Sequence, residues 1–282
     1  MRSLFVLVFF LIGCCKVFGQ DEALKLNHIY FVLDAVTFEK IKSSKELMAW
    51  GNWDKGLPGF DPVDPKTTTA YLRGKSTYLE IMGPGNKFGE KEGAVGIGFS
   101  WDVRGQFSDD IQKKQKNEGL KFERSESKWD FGNGKMLWYS AYYTKLKGSI
   151  ATWYAFYNPD FLSNLYRKPY TSFTREDFLR NRWDTTKSIT DISGMVLDCS
   201  SADYDKIIEE MAAFGVRKKA SGKTFIIFDV DSIEIRLHLT NREKTAIREL
   251  RLKTQAQATE NFAIENLQFE NTAKELVIKF IK

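Results

Sequence analysis

The sequence predicts an α+β fold built by internal repetition, and three observations carry that expectation. Three segments open alike: Asn27–Asp34, Gly96–Asp102 and Ser193–Asp198 are each an apolar run closed by an Asp. Two closing segments match as well, since Thr77–Pro84 aligns without a gap on Thr152–Pro159. Between these landmarks each unit reads strand, helix, then two or three strands. Repetition of this kind fixes architecture before any single motif does.

The first unit runs from about Leu24 to Gly89. Its opening strand alternates His28, Tyr30 and Val32 against Ile29, Phe31 and Leu33. Both sets are largely apolar, so the strand should be buried on both faces. Thr37 is the expected N-cap of a helix over 37–47, with Phe38, Ile41 and Leu47 along it. Residues 51–66 are rich in Gly, Pro and Asp and should form a long surface loop. Strands over 67–72 and 76–82 follow, joined by a tight turn at Arg73-Gly74-Lys75.

The second unit begins at Ala94. A strand over 95–103 leads to a helix over 108–118, capped by Ser108 and stopped by Gly119. Strands are expected over 122–128, 135–145 and 150–157, with Gly132-Asn133-Gly134 as a hairpin turn. A charged helical connector follows. The third unit starts at Ile189, with a strand over 192–199 and a helix over 202–214 carrying Tyr204, Ile207, Ile208 and Met211 on one stripe. A hairpin around Asp229–Asp231 comes next, then a strand over 247–252. The tail alternates through Phe262–Phe269 and ends in the apolar run 276–281, so it should close a sheet, because free tails are polar.

The N-terminus reads as a targeting signal. Arg2 is a basic n-region and residues 4–13 an apolar h-region, too short for a span of about 20 residues. Two processing routes fit. Ordinary signal peptidase would cut at Gly19-Gln20, the favoured junction, because it is a small-residue site just before the polar start of the mature chain. Leu11-Ile12-Gly13-Cys14 instead looks like a lipobox, which would leave a lipid anchor on Cys14. Either route implies export, to the periplasm, the medium or, for the lipoprotein, the outer membrane. The first cut removes Cys14 and Cys15. Cys199 is then the sole thiol, no intramolecular disulfide can form, and a small buried hydrophobe is its expected role.

Removing Arg2 and Lys16 with the leader takes the formal charge from +5 to +3. Basic and acidic residues are interspersed, which is not the footprint of a nucleic-acid binder. The run Lys113-Lys114-Gln115-Lys116 reads as the solvated face of a helix. Phosphate loops, nucleotide fingerprints, Gly-x-Ser-x-Gly elbows and HExxH are all absent from the sequence.

Asn27-His28 on a first strand, then a helix, then Tyr78-Leu79-Glu80 near the unit's end resembles the glyoxalase/bleomycin-resistance/extradiol-dioxygenase (vicinal oxygen chelate) superfamily. The resemblance covers 26–159 well and 189–252 loosely. It implies βαβββ units that pair into cupped mixed sheets around one site. It divides the chain into a signal peptide (1–19), a paired glyoxalase-like domain (20–165), a helical connector (166–188) and a third related unit with C-terminal strands (189–282).

In that superfamily one residue on the first strand and one on the last strand of each paired unit hold a divalent metal. His28 and Glu80 match these positions and are suitable metal ligands. The second unit offers none. Counting back six from Asp102 gives Gly96, and Glu80 aligns with Ala155. Two protein ligands are fewer than the three or four of ordinary zinc sites. Glu234 and His238, on one face of their strand, are a lesser second pair if the third unit packs beside the first. The expected cofactor is therefore none, or a weakly bound divalent metal.

His28 also fits as a hydrogen-bonded core residue. Glu80 is harder to place, since an unpaired buried carboxylate is costly. Its possible partners are His28, Arg73, a metal or a ligand. With His28 it would make an acid/base pair, which makes these two the candidate catalytic residues. The second unit is rich in Trp and Tyr, and a cupped sheet lined by them would suit a small molecule. Tyr30, Trp101, Trp138, Trp153 and Tyr157 are the expected ligand-binding residues. Two functions follow from different classes. One is an exported small-molecule-binding protein with a degenerate metal site. The other is an exported glyoxalase-like lyase, isomerase or dioxygenase using His28 and Glu80. A purely structural module has no feature of its own.

Overall fold

The computed structural model describes residues 23–105, 107–109, 120–255 and 260–281. The leader with Cys14, Cys15 and Gln20 lies outside them, as does most of the helix expected over 108–118 with its lysine run.

The first sheet holds β1 (Lys25–Val32), β2 (Asn52–Asp54), β3 (Thr69–Arg73), β4 (Tyr78–Met82), β5 (Val95–Ser100), β6 (Phe122–Asp130), β7 (Lys135–Thr144) and β8 (Ala151–Tyr157). Their order across the sheet is β2-β3-β4-β1-β5-β8-β7-β6. The second sheet holds β9 (Ile189–Cys199), β10 (Arg217–Ser221), β11 (Phe225–Val230), β12 (Ile233–Leu239), β13 (Ala246–Thr254), β14 (Phe262–Ile264), β15 (Leu267–Asn271) and β16 (Glu275–Phe280). Its order is β10-β11-β12-β9-β13-β16-β15-β14, the same plan term by term. The fold is thus α+β with repeated glyoxalase-like units. The C-terminal strands are themselves a fourth unit, paired with the third as the second is with the first.

One difference separates the sheets. β5 runs parallel to β8, whereas β13 runs antiparallel to β16. Only positions 255–261 join β13 to β14. A parallel crossover needs about a dozen residues or more, so the short link forces the antiparallel arrangement.

Helices α1 (Ala35–Ser43) and α2 (Lys45–Trp50) follow β1, and α5 (Ser201–Ala213) follows β9. The α1 start corrects the sequence expectation. Asp34, not Thr37, is the N-cap, and its carboxylate accepts from the backbone N–H of Val36 and Thr37 and from the Thr37 hydroxyl. The Asp that closes the strand's apolar run also satisfies, through its side chain, the first free N–H groups of the helix. β2 lies inside the stretch expected to be loop, and β10 went unseen because Arg217-Lys218-Lys219 shows no apolar alternation.

The sheets pack by their inner faces. Ile29, Phe31, Ile97, Phe99, Ile192, Ile235, Leu250 and Ile278 share one core with α1, α2 and α5. Phe31 of β1 meets Phe280 of β16 edge-on at 5.3 Å. Polar joints fix the packing. Asp191 of β9 accepts from the backbone N–H of Ser76 and Thr77, both at 2.8 Å. Buried Glu210 of α5 accepts from the hydroxyls of Tyr154 (2.8 Å) and Thr152 (3.0 Å) of β8. Each such bond contributes roughly 0.5–1.5 kcal/mol, and more where the acceptor is charged.

The connector does not stand apart from the sheet. Helices α3 (Pro159–Tyr166) and α4 (Arg175–Leu179) fold back on the outer face of the first sheet. Phe161, Leu162, Phe173, Phe178 and Leu179 are buried there with Tyr30, Tyr78 and Trp153.

Candidate functional site

The outer, concave face of the first sheet is a cleft of about 530 Å³, within the range of small-molecule sites. A groove of about 700 Å³ lies elsewhere, between the sheets. It is lined by charges of both signs, including Asp34, Glu92, Glu249 and Lys279, and its buried carboxylate, Asp198, is paired with Arg248.

Period two along β1 sends Ile29 and Phe31 inward and His28 and Tyr30 into the cleft. On β4, Tyr78 and Glu80 face the same way, and on β3 Tyr71 and Arg73 do. Parallel pairing sets His28 opposite Tyr78, and Tyr30 opposite Glu80. The structure therefore brings His28 and Glu80 together, with Nε2 3.7 Å from Oε2. That is too long for a hydrogen bond. Nδ1 of His28 lies 2.8 Å from Oδ1 of Asn27, and its ring stacks on Tyr78 with centroids 4.4 Å apart.

Burial, helped by the nearby Arg73 charge, pushes His28 down to about 3, so the imidazole is neutral at physiological pH. Burial pushes the Glu80 carboxyl up, against the opposing effects of the Tyr71 hydrogen bond and the Arg73 charge. The Tyr71 hydroxyl donates to Oε1 of Glu80 at 2.6 Å. Burial also raises Tyr30, Tyr71, Tyr78 and Tyr157, so their phenols stay protonated. Arg73, itself buried, donates to both oxygens of Asp54 at 2.9 and 3.1 Å. Its guanidinium lies 4.3 Å from the Tyr71 ring, 4.6 Å from Tyr78 and 5.4 Å from Phe60.

Tyr30, Trp138, Trp153 and Tyr157 line the cleft. Trp153 stands 5.0 Å from His28 edge-on and 5.9 Å from Tyr30. A Cβ on Gly98 would come within 2.6 Å of Trp153, so this Gly makes room for the indole. Trp138 stacks on Phe161 of α3 at 4.9 Å, and its buried indole N–H has no hydrogen-bond acceptor among the described residues.

Trp101 is a correction. It lies on the inner side, stacked on Phe156 at 4.5 Å and 5.5 Å from Phe214, the C-cap of α5. Val95, Ile97 and Phe99 of β5 face the inner core, and the same period of two carries Trp101 to that side. Glu234 and His238 are a second correction. They share a face of β12, but that face is the outer side of the second sheet, with the common core between it and the cleft. Glu234 is bound there by Lys219 (2.9 Å) and Arg251 (3.0 Å). The third unit pairs with the fourth instead of the first.

The register also revises the metal positions. β1 and β5 run antiparallel about the Ile29–Ile97 pair, so His28 corresponds to Gly96 and Tyr30 to Gly98. Gly98 lies opposite Trp153 on β8, as Tyr30 lies opposite Glu80 on β4. The counterpart of Glu80 is Trp153, not Ala155. Gly and Trp supply no ligand, and the two remaining donors do not fit a site of three or four. Among the described residues no group of three or more His, Cys, Asp or Glu side chains has a metal-binding arrangement.

Sequence reasoning missed the Arg73–Asp54 pair, Tyr71 and the connector wall. An Arg and a Glu within the apolar strands β3 and β4 were the available signal, since each demanded a partner. Cys199 is fully buried, and burial raises its thiol to about 12. No helix among the described residues is long and apolar enough to cross a membrane.

A search of curated proteins finds no match for the chain. Among solved structures it is similar to a hypothetical protein from Staphylococcus aureus, at 11% identity and a TM-score of 0.52, with 86% of this chain and 94% of that chain covered. It is also similar to a xylose isomerase-like TIM barrel/4-hydroxyphenylpyruvate dioxygenase fusion protein, at 11% identity and a TM-score of 0.46, over 79% of this chain and 35% of that chain. The first likeness shows a shared fold alone, and the second carries no argument. One family model matches residues 26–280, a span that takes in both sheets, and the chain therefore belongs to that family, described as a family of unknown function (DUF5829).

Proposed function

We propose that this is an exported protein that binds a small organic molecule in the cleft of the first sheet, on a glyoxalase-like scaffold whose metal site is degenerate. The observation that carries this reading is the cleft itself. About 530 Å³ is walled by Tyr and Trp and floored by a buried carboxylate. Trp138 adds a buried N–H without an acceptor among the described residues, the kind of group that a ligand oxygen or nitrogen satisfies. Export rests on the leader-like residues 1–19. Intact-mass detection of a mature chain starting at Gln20 would support it, and a lipid on Cys14 would change the route but not the destination class.

The test is a tryptophan-fluorescence screen of a small-molecule library. Saturable quenching that is lost in Trp153→Ala supports the reading. Hits whose quenching survives Trp153→Ala contradict it.

A second reading is favoured by the approach of His28 to Glu80 at 3.7 Å. A neutral imidazole beside a carboxyl with a raised pKa can pass a proton to or from a bound molecule. Turnover of a screened hit, lost in both His28→Gln and Glu80→Gln, would establish it. A divalent ion held by these two side chains alone would wash out on dialysis.

A further inference from the structure

The charges buried around the cleft do not balance. Asp54 and Arg73 form a bidentate pair and cancel. His28 is neutral. Glu80 accepts from the Tyr71 phenol and feels the charges of Arg73 and Lys87, but among the described residues no Lys or Arg forms an ion pair with it. At the solvent-facing edge Lys87 and Glu90 are of opposite sign, and Lys128 pairs with Glu126 at 3.1 Å. A buried carboxylate must be neutralised by a proton or met by a positive charge.

The walls around Glu80 suit a particular kind of positive charge. Tyr30, Tyr78, Tyr139, Trp153 and Tyr157 line the same cavity, and aromatic faces attract cations through their quadrupoles. The fold already uses this device next door, where three rings surround the Arg73 guanidinium within 5.4 Å. Rings do not coordinate a metal ion, and a single ion leaves a cavity of this size empty. An alkylated ammonium needs no lone-pair donors, and its organic body can fill the space. The one buried cation among the described residues lining the cleft, Arg73, is already paired with Asp54, which leaves an anion nothing buried to pair with.

We propose that the cleft takes an organic cation, an alkylated or quaternary ammonium group set between Glu80 and the rings of Tyr30 and Trp153. This rests on the reading of the cleft as the binding site.

The test compares choline with 3,3-dimethylbutan-1-ol, its uncharged isostere, by calorimetry and tryptophan fluorescence on the full chain. Choline binding at least tenfold tighter than the isostere, with the difference lost in Glu80→Gln, supports the proposal. The wild-type comparison stands even if Glu80→Gln does not fold. Equal affinity for the two compounds, or neutral library hits with no choline binding, overturns the organic cation and leaves the cleft as the site. Absence of binding by choline, the isostere and the whole library overturns both.

Discussion

Trp153 holds in the second unit the place that Glu80 holds in the first. Both stand on the last strand of their unit, opposite Gly98 and Tyr30 respectively, and those two positions are related by the antiparallel pairing of β1 with β5. One half of the cleft floor is thus polar and the other aromatic. His28 lies between them, 3.7 Å from the carboxylate and 5.0 Å from the indole. The asymmetry removes a symmetric ligand set and creates a wall.

Gly96 should tolerate no side chain. A Cβ there would lie 2.1 Å from the ring of buried Tyr30. Gly96→Ala is expected to lower stability by about 1–3 kcal/mol, the usual range for overpacking. Urea unfolding measures it, and an unchanged midpoint would show that the Tyr30 ring does not pack against Gly96.

Asp54→Asn should be among the most damaging single changes near the cleft. Arg73 is 3% exposed and Asp54 holds both ends of its fork. Removing one partner of a buried pair costs about 3–5 kcal/mol, because the other charge is left behind. Adding Arg73→Met should recover part of that loss in thermal melts. A double variant less stable than Asp54→Asn alone would contradict the pairing.

The repeat was legible because β1, β4, β5, β8 and β9 carry strong apolar runs that burial on both faces requires. The pairing of units was less so. β10 is exposed throughout, and where a helix follows the first strand of the first and third units, only positions 255–261 separate β13 from β14. Ala155 was matched to Glu80 because a gapless alignment places residues by sequence, whereas the sheet places them by register. His28 and Glu80 stood out as polar residues in apolar strands. Asp54 did not, because it lies in a stretch whose Gly and Pro content hid a short strand. Trp101 resembles the cleft aromatics in composition, and its place two residues after Phe99, on the inward-facing set of β5, sets it apart.

His28 should make the fold sensitive to acid. Its folded value, about 3, lies below the 6.5 of the unfolded chain. Below 6.5 the unfolded chain takes up a proton that the folded chain refuses, so stability is full above 6.5 and falls as pH drops toward 3. Between pH 6.5 and 5 the loss is on the order of 2 kcal/mol. Glu80, raised by burial, acts with the opposite sign: its contribution is present below 4.5 and lost as pH rises through its folded value. His28→Gln isolates the first effect. Its melting temperature should vary less with pH than that of the wild type across this window, and equal slopes would mean that His28 is not buried neutral.

The central claim is that ligands enter the first-sheet cleft. Crystals soaked with a small-molecule fragment library test it most directly. Density is expected between Trp153 and Glu80, with a ligand acceptor near the Trp138 indole N–H. Fragments gathered instead in the groove between the sheets, beside Arg248 and Phe280, with the cleft empty, would contradict it.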